Sequence, residues 1–511
     1  MREVINGMRP GLYNIILSII CFVTVSYSQS ISPYFTQTQH NSFLEYAINS
    51  GFLSPTHIFH QPFQTAELYH AIESGNVPDH VKHWIHILKS DLLRFYQPDS
   101  VDDKNGRWNL GLNGSYHLIS DHNRQRTRYR AEVFGIYTLP YLVLANRTVT
   151  DQTFKDDPLY YGDTGEWIYG RVEDAYAIFN YKALSIFGGR ISRNLGSINE
   201  TSLVLSDNPY SYDHFGIQVS TRRFRYVFYT TRLNDMMAFD SEAEDQTPQL
   251  SKRYFAIQRA DLSMLQNLKV GISEIVVYGG PGQNFEAFYL NPLNFYYVAQ
   301  RNQLKEMNGL WAAEFFWKPG KHFSWFVQFL LDDIIINNEA GQNDRSNHPD
   351  RMGLCAKVSV TDIVIPGTQL SLRYNRVGNW TYTSYRTWEN YVYHEKGMGY
   401  SENSSEDFSL QLNYFGQPPF QIQMSGGFTR LGDQKLTAVF GDTKNEFPVG
   451  IVEKISWVDF EINYIPSHLY YIGLNVNYRK SINQYHVIGN DYSGVSVTMS
   501  LNASWNKNFV F

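Results

Sequence analysis

The last seventeen residues of the chain alternate between apolar and polar side chains. From Val495 to Phe511 every second residue is apolar except Lys507, and the residues between them are small and polar except Val510. Successive side chains of a β-strand point to opposite faces, so this pattern predicts a strand with one apolar and one polar face. Sandwich strands usually keep such alternation for roughly five or six residues, so this longer run favours a tilted strand that crosses a membrane.

The same alternation recurs through the chain from about residue 105. A clear example is Phe408, Leu410, Leu412 and Tyr414, which are separated by polar residues. Strands are predicted at 108–118, 127–138, 140–149, 171–180, 183–191, 213–220, 223–232, 252–261, 267–277, 310–318, 321–332, 352–361, 367–376, 407–415, 419–428, 452–464, 468–479 and 494–510. The total is about 18, and bacterial single-chain barrels have an even number of strands.

The connections between these segments also alternate, in length. Short turns are predicted at 181–182, 221–222, 319–320, 416–418 and 466–467, and long loops at 150–170, 233–251, 278–308, 333–350, 377–406, 429–451 and 480–493. Short periplasmic turns and long outer loops are typical of outer-membrane barrels. The fold class predicted for residues 105–511 is therefore all-β, a large antiparallel transmembrane β-barrel.

Residues 29–104 have a helical rhythm instead. Three amphipathic helices are predicted, one ending at Gly51, one between Thr65 and Gly75, and one that Pro78 opens. Their apolar stripes are Phe43, Leu44, Ala47 and Ile48; Leu68, Ala71 and Ile72; and Val81, Trp84, Ile85, Leu88, Leu92 and Phe95. We expect a small helical bundle or plug in the periplasm or in the barrel mouth, where it would bury its apolar face against itself or against the barrel wall.

Residues 1–28 match the pattern of a secretory signal peptide. Arg2 and Arg9 precede an apolar stretch, and Ser26 and Ser28 occupy the −3 and −1 positions of a cleavage site. Removal of this segment leaves Cys355 as the one cysteine, so no internal disulfide is expected. The predicted location is the bacterial outer membrane.

Composition supports the barrel and narrows the range of partners. The chain contains 37 Tyr, 33 Phe and 10 Trp, as aromatic girdles at both membrane interfaces require. The net charge of −6 gives no basic surface for nucleic acid. We expect contact with outer-membrane lipid, recognition by the barrel-assembly machinery through Phe511, and a monomer.

Four short stretches resemble one family. They are 189–196, which begins Gly-Arg, the Ser-Asn-rich 202–209, and the segments 290–295 and 328–333. With the architecture, they make the chain similar to the Wzi capsule-assembly family, as a divergent member. Where the family has Trp-Gly-Pro-Gly after the Gly-Arg, this chain has 194–197, Asn-Leu-Gly-Ser. The resemblance implies binding of exported capsular polysaccharide, help in attaching capsule to the cell surface, and no enzymatic activity.

Polar residues at inward positions of the strands are the first candidates for sugar binding. On 321–332 the pattern turns Trp325 and Phe329 toward lipid and Gln328 and Asp332 inward. The same reasoning turns Phe224, Tyr226 and Phe228 toward lipid. The candidates are Arg171, Glu173, Arg190, Arg223, Arg225, Asn291, Gln328, Asp332 and Arg373. They would either bind sugar groups or form the ion pairs that hold a barrel wall to its plug.

The aromatic residues of one long loop are the second group of candidates. This loop contains Trp380, Tyr382, Tyr385, Trp388, Tyr391 and Tyr393. Aromatic faces can stack on sugar rings, and Trp380 and Trp388 are the named candidates. The alternative is an interfacial girdle or the packed core of the loop.

Catalytic, metal and cofactor motifs are not found in the sequence. His80, His83 and His86 lack the partners of a recognised ligand set, and Gly279–Gly282 lacks the βα context of a phosphate loop. No cofactor and no enzymatic activity are expected. The alternative to polysaccharide binding is an outer-membrane porin or solute channel.

Overall fold

The computed structural model describes residues 33–34, 38–55, 57–95, 106–121, 124–163, 169–241, 243, 245–298, 306–333, 351–439 and 446–510. The predicted signal peptide at 1–28 and Phe511 lie outside the described residues.

Eighteen long strands of the described chain form one closed antiparallel barrel, which confirms the predicted fold class. They are β1 (Arg107–Asp121), β2 (Arg124–Thr138), β3 (Leu142–Asp151), β4 (Gly170–Tyr181), β5 (Leu184–Ile191), β6 (Tyr212–Ser220), β7 (Phe224–Arg232), β8 (Gln249–Leu265), β9 (Leu268–Pro281), β10 (Asn308–Trp317), β11 (Phe323–Asp333), β12 (Arg351–Thr361), β13 (Thr368–Val377), β14 (Ser405–Gln417), β15 (Phe420–Leu431), β16 (Glu453–Ser467), β17 (Tyr470–Ile482) and β18 (Tyr492–Val510). Strand β18 pairs with β1, and this pairing closes the cylinder.

The period-two pattern separates the lipid-facing surface from the lumen. On β18, Met499, Leu501 and Trp505 are exposed on the outer face, whereas Ser500 and Asn502 are only partly exposed on the inner face. On β11, Trp325 and Phe329 are exposed and Gln328 and Asp332 are buried, as predicted. Because the alternation is a local property of the chain, it predicts side-chain direction in the strand without knowledge of the neighbours.

Among the described residues, three α-helices precede the barrel. They are α1 (Thr38–Ser50), α2 (Thr65–Ser74) and α3 (Lys82–Leu92), with a 3-10 turn at Asp79–Val81 before α3. Gly51, at φ +85°, follows α1 in a backbone conformation that glycine tolerates best. No helix among the described residues is long and apolar enough to span a membrane.

The helical bundle is docked at the end of the barrel that carries the short turns. Trp84 Nε1 donates to the Phe415 carbonyl at 2.8 Å, and the Tyr46 hydroxyl donates to Asp362 Oδ1 at 2.9 Å. Phe415 lies near the end of β14, and Asp362 directly follows the end of β12, on this side of the barrel. The bundle therefore buries its apolar stripe partly against the inner rim of the barrel.

Two connections from the opposite end fold into the lumen. These are the inner segment (residues 192–211, between β5 and β6) and the inner loop (residues 378–404, between β13 and β14). Leu203 and Val204 are fully buried, and their carbonyls accept hydrogen bonds from the Tyr382 and Tyr391 hydroxyls at 2.7 Å and 2.6 Å. The inner segment, the inner loop and the bundle share one apolar core with inward side chains of β6 to β14 and β16. This plug fills one side of the cylinder.

Candidate functional site

A chain of ion pairs joins the plug to the wall through Arg373. Lys357 on β12 contacts Glu45 of α1 at 2.5 Å and Glu200 of the inner segment at 2.8 Å. Arg373 on β13 contacts Glu200 at 3.1 Å and Asp407 on β14 at 2.8 Å. Four of these five side chains are buried and Arg373 is mostly so, which makes mutual pairing the main means of stabilising the charges. In this structure Arg373 connects wall and plug.

Gln328 and Asp332 also hold the plug. Gln328 Oε1 accepts from the Leu203 backbone N–H at 2.6 Å, and its Nε2 donates to the Leu195 carbonyl at 3.0 Å. Asp332 accepts from the Tyr382 backbone N–H at 2.6 Å. Both side chains face the lumen as predicted, but groups of the inner segment and the inner loop are hydrogen-bonded to Gln328 Oε1, Gln328 Nε2 and Asp332 Oδ2.

The two arginines predicted at the start of β7 have different surroundings. Arg225 is buried and contacts Glu67 of α2 at 3.1 Å. Burial raises the pKa of Glu67, but His57 and Arg225 outweigh that effect and lower this pKa to about 2. Arg223 is exposed in the turn before Phe224, because β7 begins one residue later than expected.

Arg171, Glu173 and Arg190 come together near the end of the lumen that carries the long loops. Arg171 contacts Glu173 at 2.9 Å, and its guanidinium lies 4.2 Å from the centre of the Tyr210 ring. Arg190 contacts Asp213 at 2.8 Å. Nearby, the half-exposed Tyr161 stacks on His394 at 3.9 Å. This outer mouth offers aromatic faces beside paired charges. Asn291 is not part of it.

The aromatic residues of the inner loop are packed inside it. Trp380, Tyr382, Trp388 and Tyr391 are buried. The Arg253 Nε donates to the Trp388 carbonyl at 2.7 Å. The arrangement corresponds to the packed core of a loop, which was one of the alternatives to stacking on sugar rings. The rings of Trp380 and Trp388 present no open face. Burial also raises the pKa of Glu389 in this loop to about 7, although Arg386 opposes the rise.

A polar cavity of about 480 Å³ lies on the side of the lumen that the plug leaves unfilled. It is enclosed by inward residues of β1 to β4, β17 and β18 and by the end of the bundle after α3. Its polar and aromatic lining includes Arg94, Asn113, His117, Arg130, Glu132, Phe134, Asn146, Arg147, Asp174, Tyr176, Tyr471 and Asn502. None of the candidate residues from the sequence lines it. Alternation alone marks these residues as inward, but it does not show where the plug ends.

The charges of this cavity neutralise one another. Arg130 contacts Glu132 at 2.6 Å and Asp151 at 3.0 Å, and Arg147 donates to Asp174. Arg94 contacts Asp91 at 3.0 Å. In contrast, the side-chain nitrogen of Asn502 has no hydrogen-bond partner among the described residues. The cavity therefore combines fixed ion pairs and amides with the rings of Phe134 and Tyr176. Among the described residues, no group of His, Cys, Asp and Glu side chains is arranged to hold a metal ion.

Comparisons with known proteins agree with this architecture. The profile of the family named capsule assembly protein Wzi matches residues 121–451. No curated protein matches the sequence significantly. Among solved structures, Escherichia coli Wzi is described as an outer-membrane protein involved in group 1 capsule assembly and a carbohydrate-binding β-barrel. It is 12% identical, with a TM-score of 0.59, and the match covers 93% of this chain and 99% of that one.

Two Pseudomonas aeruginosa proteins are similar at lower scores. OccD3 (OpdP) is 10% identical over 78% of this chain and 91% of that one, with a TM-score of 0.46. The outer-membrane protein OpdK is 12% identical over 79% and 99%, with a TM-score of 0.47. The family profile, by contrast, covers more than half of this sequence. The chain is thus an outer-membrane β-barrel and belongs to the Wzi capsule-assembly family.

Proposed function

We propose that this protein binds exported polysaccharide in its lumen and assists capsule assembly or attachment at the cell surface. The observation that carries the proposal is the polar cavity beside the plug. Its amides and guanidinium groups can hydrogen-bond sugar hydroxyls, and Phe134 and Tyr176 can contact the apolar faces of sugar rings. Because the cavity arginines are already paired with carboxylates, the site suits hydroxyl-rich sugars better than strongly anionic ones.

The outer mouth extends the same proposal toward the cell surface. Arg171, Glu173, Arg190 and Tyr161 would contact the polysaccharide where it leaves the barrel. No catalytic step is included. The protein would act as a monomer, in contact with outer-membrane lipid, after assembly through a C-terminal signal at Phe511.

Binding by the purified, folded barrel tests the proposal. Asn113→Leu and Asn502→Leu each remove an amide from the cavity and place an apolar group there. We expect each to weaken binding of the organism's own extracellular polysaccharide about 5- to 10-fold, the effect of losing roughly one hydrogen bond. Isothermal titration calorimetry would measure the affinity for the polysaccharide. The control is Leu501→Ala, which changes the lipid-facing side of β18, next to Asn502.

Two results would contradict the proposal. One is equal polysaccharide affinity for Asn113→Leu, Asn502→Leu and the unchanged protein. The other is a large steady current through the protein in planar bilayers without any affinity for polysaccharide, which would favour the solute-channel alternative.

A further inference from the structure

Part of the connection between β9 and β10 lies on the outside of the barrel wall. Phe228, Tyr254, Val276 and Tyr278 are at outward positions on β7 to β9, where the alternation predicts contact with lipid. Instead, Phe228 is 0% exposed, and all four pack against Tyr289, Tyr296 and Met307 of this connection. Their sequence neighbours on the opposite face, such as Val227, Phe255 and Val277, pack on the plug. Both faces of these strands are therefore covered by protein.

The covering segment, which we name the wall flap (residues 287–298), is fastened by hydrogen bonds to outward polar side chains. The Tyr226 hydroxyl donates to the Pro292 carbonyl, and Gln258 Nε2 donates to the Asn294 carbonyl at 2.7 Å. The Tyr297 backbone N–H donates to Glu274 Oε1 at 3.0 Å. An amide or a carboxyl group that faces hydrocarbon without a hydrogen-bond partner is unfavourable in free energy. The wall flap supplies the hydrogen bonds for Gln258 and Glu274 that acyl chains could not supply.

The outer surface of the wall flap is apolar. Residues 287–298 contain no Asp, Glu, Lys or Arg. Leu293 is 80% exposed and Phe295 is 65% exposed, and Leu290 and Val298 are also exposed. This surface continues the lipid-facing belt of the strands beneath it, where Leu262 and Ile272 are exposed. Exposed apolar patches of this kind mark contact with another apolar phase or protein.

We propose that the wall flap is inserted in the membrane and replaces the strands as the lipid-contacting surface over β7 to β9. It descends from the outer end of β9 to the level of Gln258 and Glu274, near the middle of their strands. The apolar outer surface of the wall flap contacts the acyl chains of the outer leaflet, because this surface is continuous with the lipid-facing belt of the strands beneath it. Leu293 and Phe295 lie among those chains.

Site-directed spin labelling of the full barrel in lipid vesicles tests this. Leu293→Cys and Phe295→Cys would be labelled in a Cys355→Ser background. We expect high accessibility to oxygen and low accessibility to a polar nickel reagent, as at the matched control Leu410→Cys on the lipid-facing side of β14. Val364→Cys, exposed in the turn after β12, supplies the aqueous reference.

Two outcomes would overturn the proposal. Accessibility to nickel like that at Val364 would place the wall flap in water, and low accessibility to both reagents would place it against a protein partner or a second copy. The double change Tyr226→Phe and Gln258→Leu tests the fastening. It should increase the mobility of a label at 293 and leave a label at 410 unchanged, whereas equal mobility at 293 would show that these hydrogen bonds do not hold the flap.

Discussion

Arg373 joins three separate parts of the chain through two carboxylates. It contacts Glu200 in the inner segment and Asp407 on β14. Removing one member of a mostly buried ion pair leaves the remaining charges without compensation. For single residues of this lumen, pairing between protein groups is thus the first role to test.

Arg373→Ala should destabilise the folded barrel by about 1 to 3 kcal/mol, because Glu200 and Asp407 would keep their charges with fewer partners. The midpoint of heat-induced unfolding, followed by gel mobility of the folded form, measures this. Arg376→Ala is the control, since Arg376 is half-exposed and lies 3.9 Å from Glu406. Polysaccharide affinity should not change. Loss of affinity at unchanged thermal stability would assign Arg373 to ligand binding.

Glu389 makes the inner loop sensitive to pH. Its pKa is raised to about 7 by burial, so the folded loop holds a proton that an unfolded loop would release at lower pH. Stability therefore falls as pH rises from about 4.5 through 7. Glu389→Gln should remove this dependence and increase protection of loop amides from hydrogen exchange at about pH 8. The exposed Glu395→Gln is the matched control, and equal protection in both variants would contradict the prediction.

At the scale of elements, the connection between α1 and α2 is held in the barrel by two buried histidines. His57 Nε2 lies 3.1 Å from the Thr221 carbonyl, and His60 contacts Asp261. Burial lowers the pKa of His57 to about 3 and that of His60 to about 4, in the second case although Asp261 opposes the shift. Both imidazoles are therefore neutral in the docked bundle at neutral pH.

Docking of the bundle should weaken in acid. A histidine whose pKa is depressed by folding contributes full stability above about pH 6.5, and that contribution is lost as pH falls toward 3 to 4. From about pH 7 to pH 5, the protection factors of amides in α2, which are exchange rates corrected for the intrinsic rate at each pH, should fall more than those in β18. A His57→Asn, His60→Asn double variant should show a flatter dependence. Identical profiles for the two proteins would show that other groups control docking.

For the whole molecule, turns and loops lie at opposite ends of the cylinder. The outer connections include 152–169, 192–211, 233–248, 282–307, 378–404, 432–452 and 483–491, while those at the bundle end are short. At the loop end, strands β1 and β2 follow each other closely, since Asp121 and Arg124 are opposite each other in their antiparallel register. This asymmetry is typical of outer-membrane barrels, and it predicts that the bundle end faces the periplasm.

Chemical labelling of intact cells without capsule tests this orientation. Ile488 in the loop before β18 and Val364 in the turn after β12 are both strongly exposed. In a Cys355→Ser background, Ile488→Cys should react with a membrane-impermeant maleimide, and Val364→Cys should react only after the outer membrane is permeabilised. Labelling of Val364→Cys in intact cells would show that the barrel has the opposite orientation.

Each of the strands predicted from alternation has a counterpart in the barrel, and the three helices lie where their apolar stripes placed them. Arg171, Glu173 and Arg190 were candidates from the sequence, but the contact of Arg171 with the Tyr210 ring was not predictable. The cavity around Asn113 and Asn502 was missed, because these residues are 389 positions apart (502 − 113) and their inward direction is shared by many polar residues.

By itself, the sequence determined most of the cylinder: its strands, the lipid-facing side of most of them and the helices in front of it. These follow from periods of two and 3.6 residues, which are local and need no partner to be recognised. Only the tertiary structure decided what fills the lumen, where the cavity remains and that the wall flap covers Gln258 and Glu274. Those features depend on loops that carry no period, and on pairs such as Arg373 and Glu200 that meet only when the barrel closes.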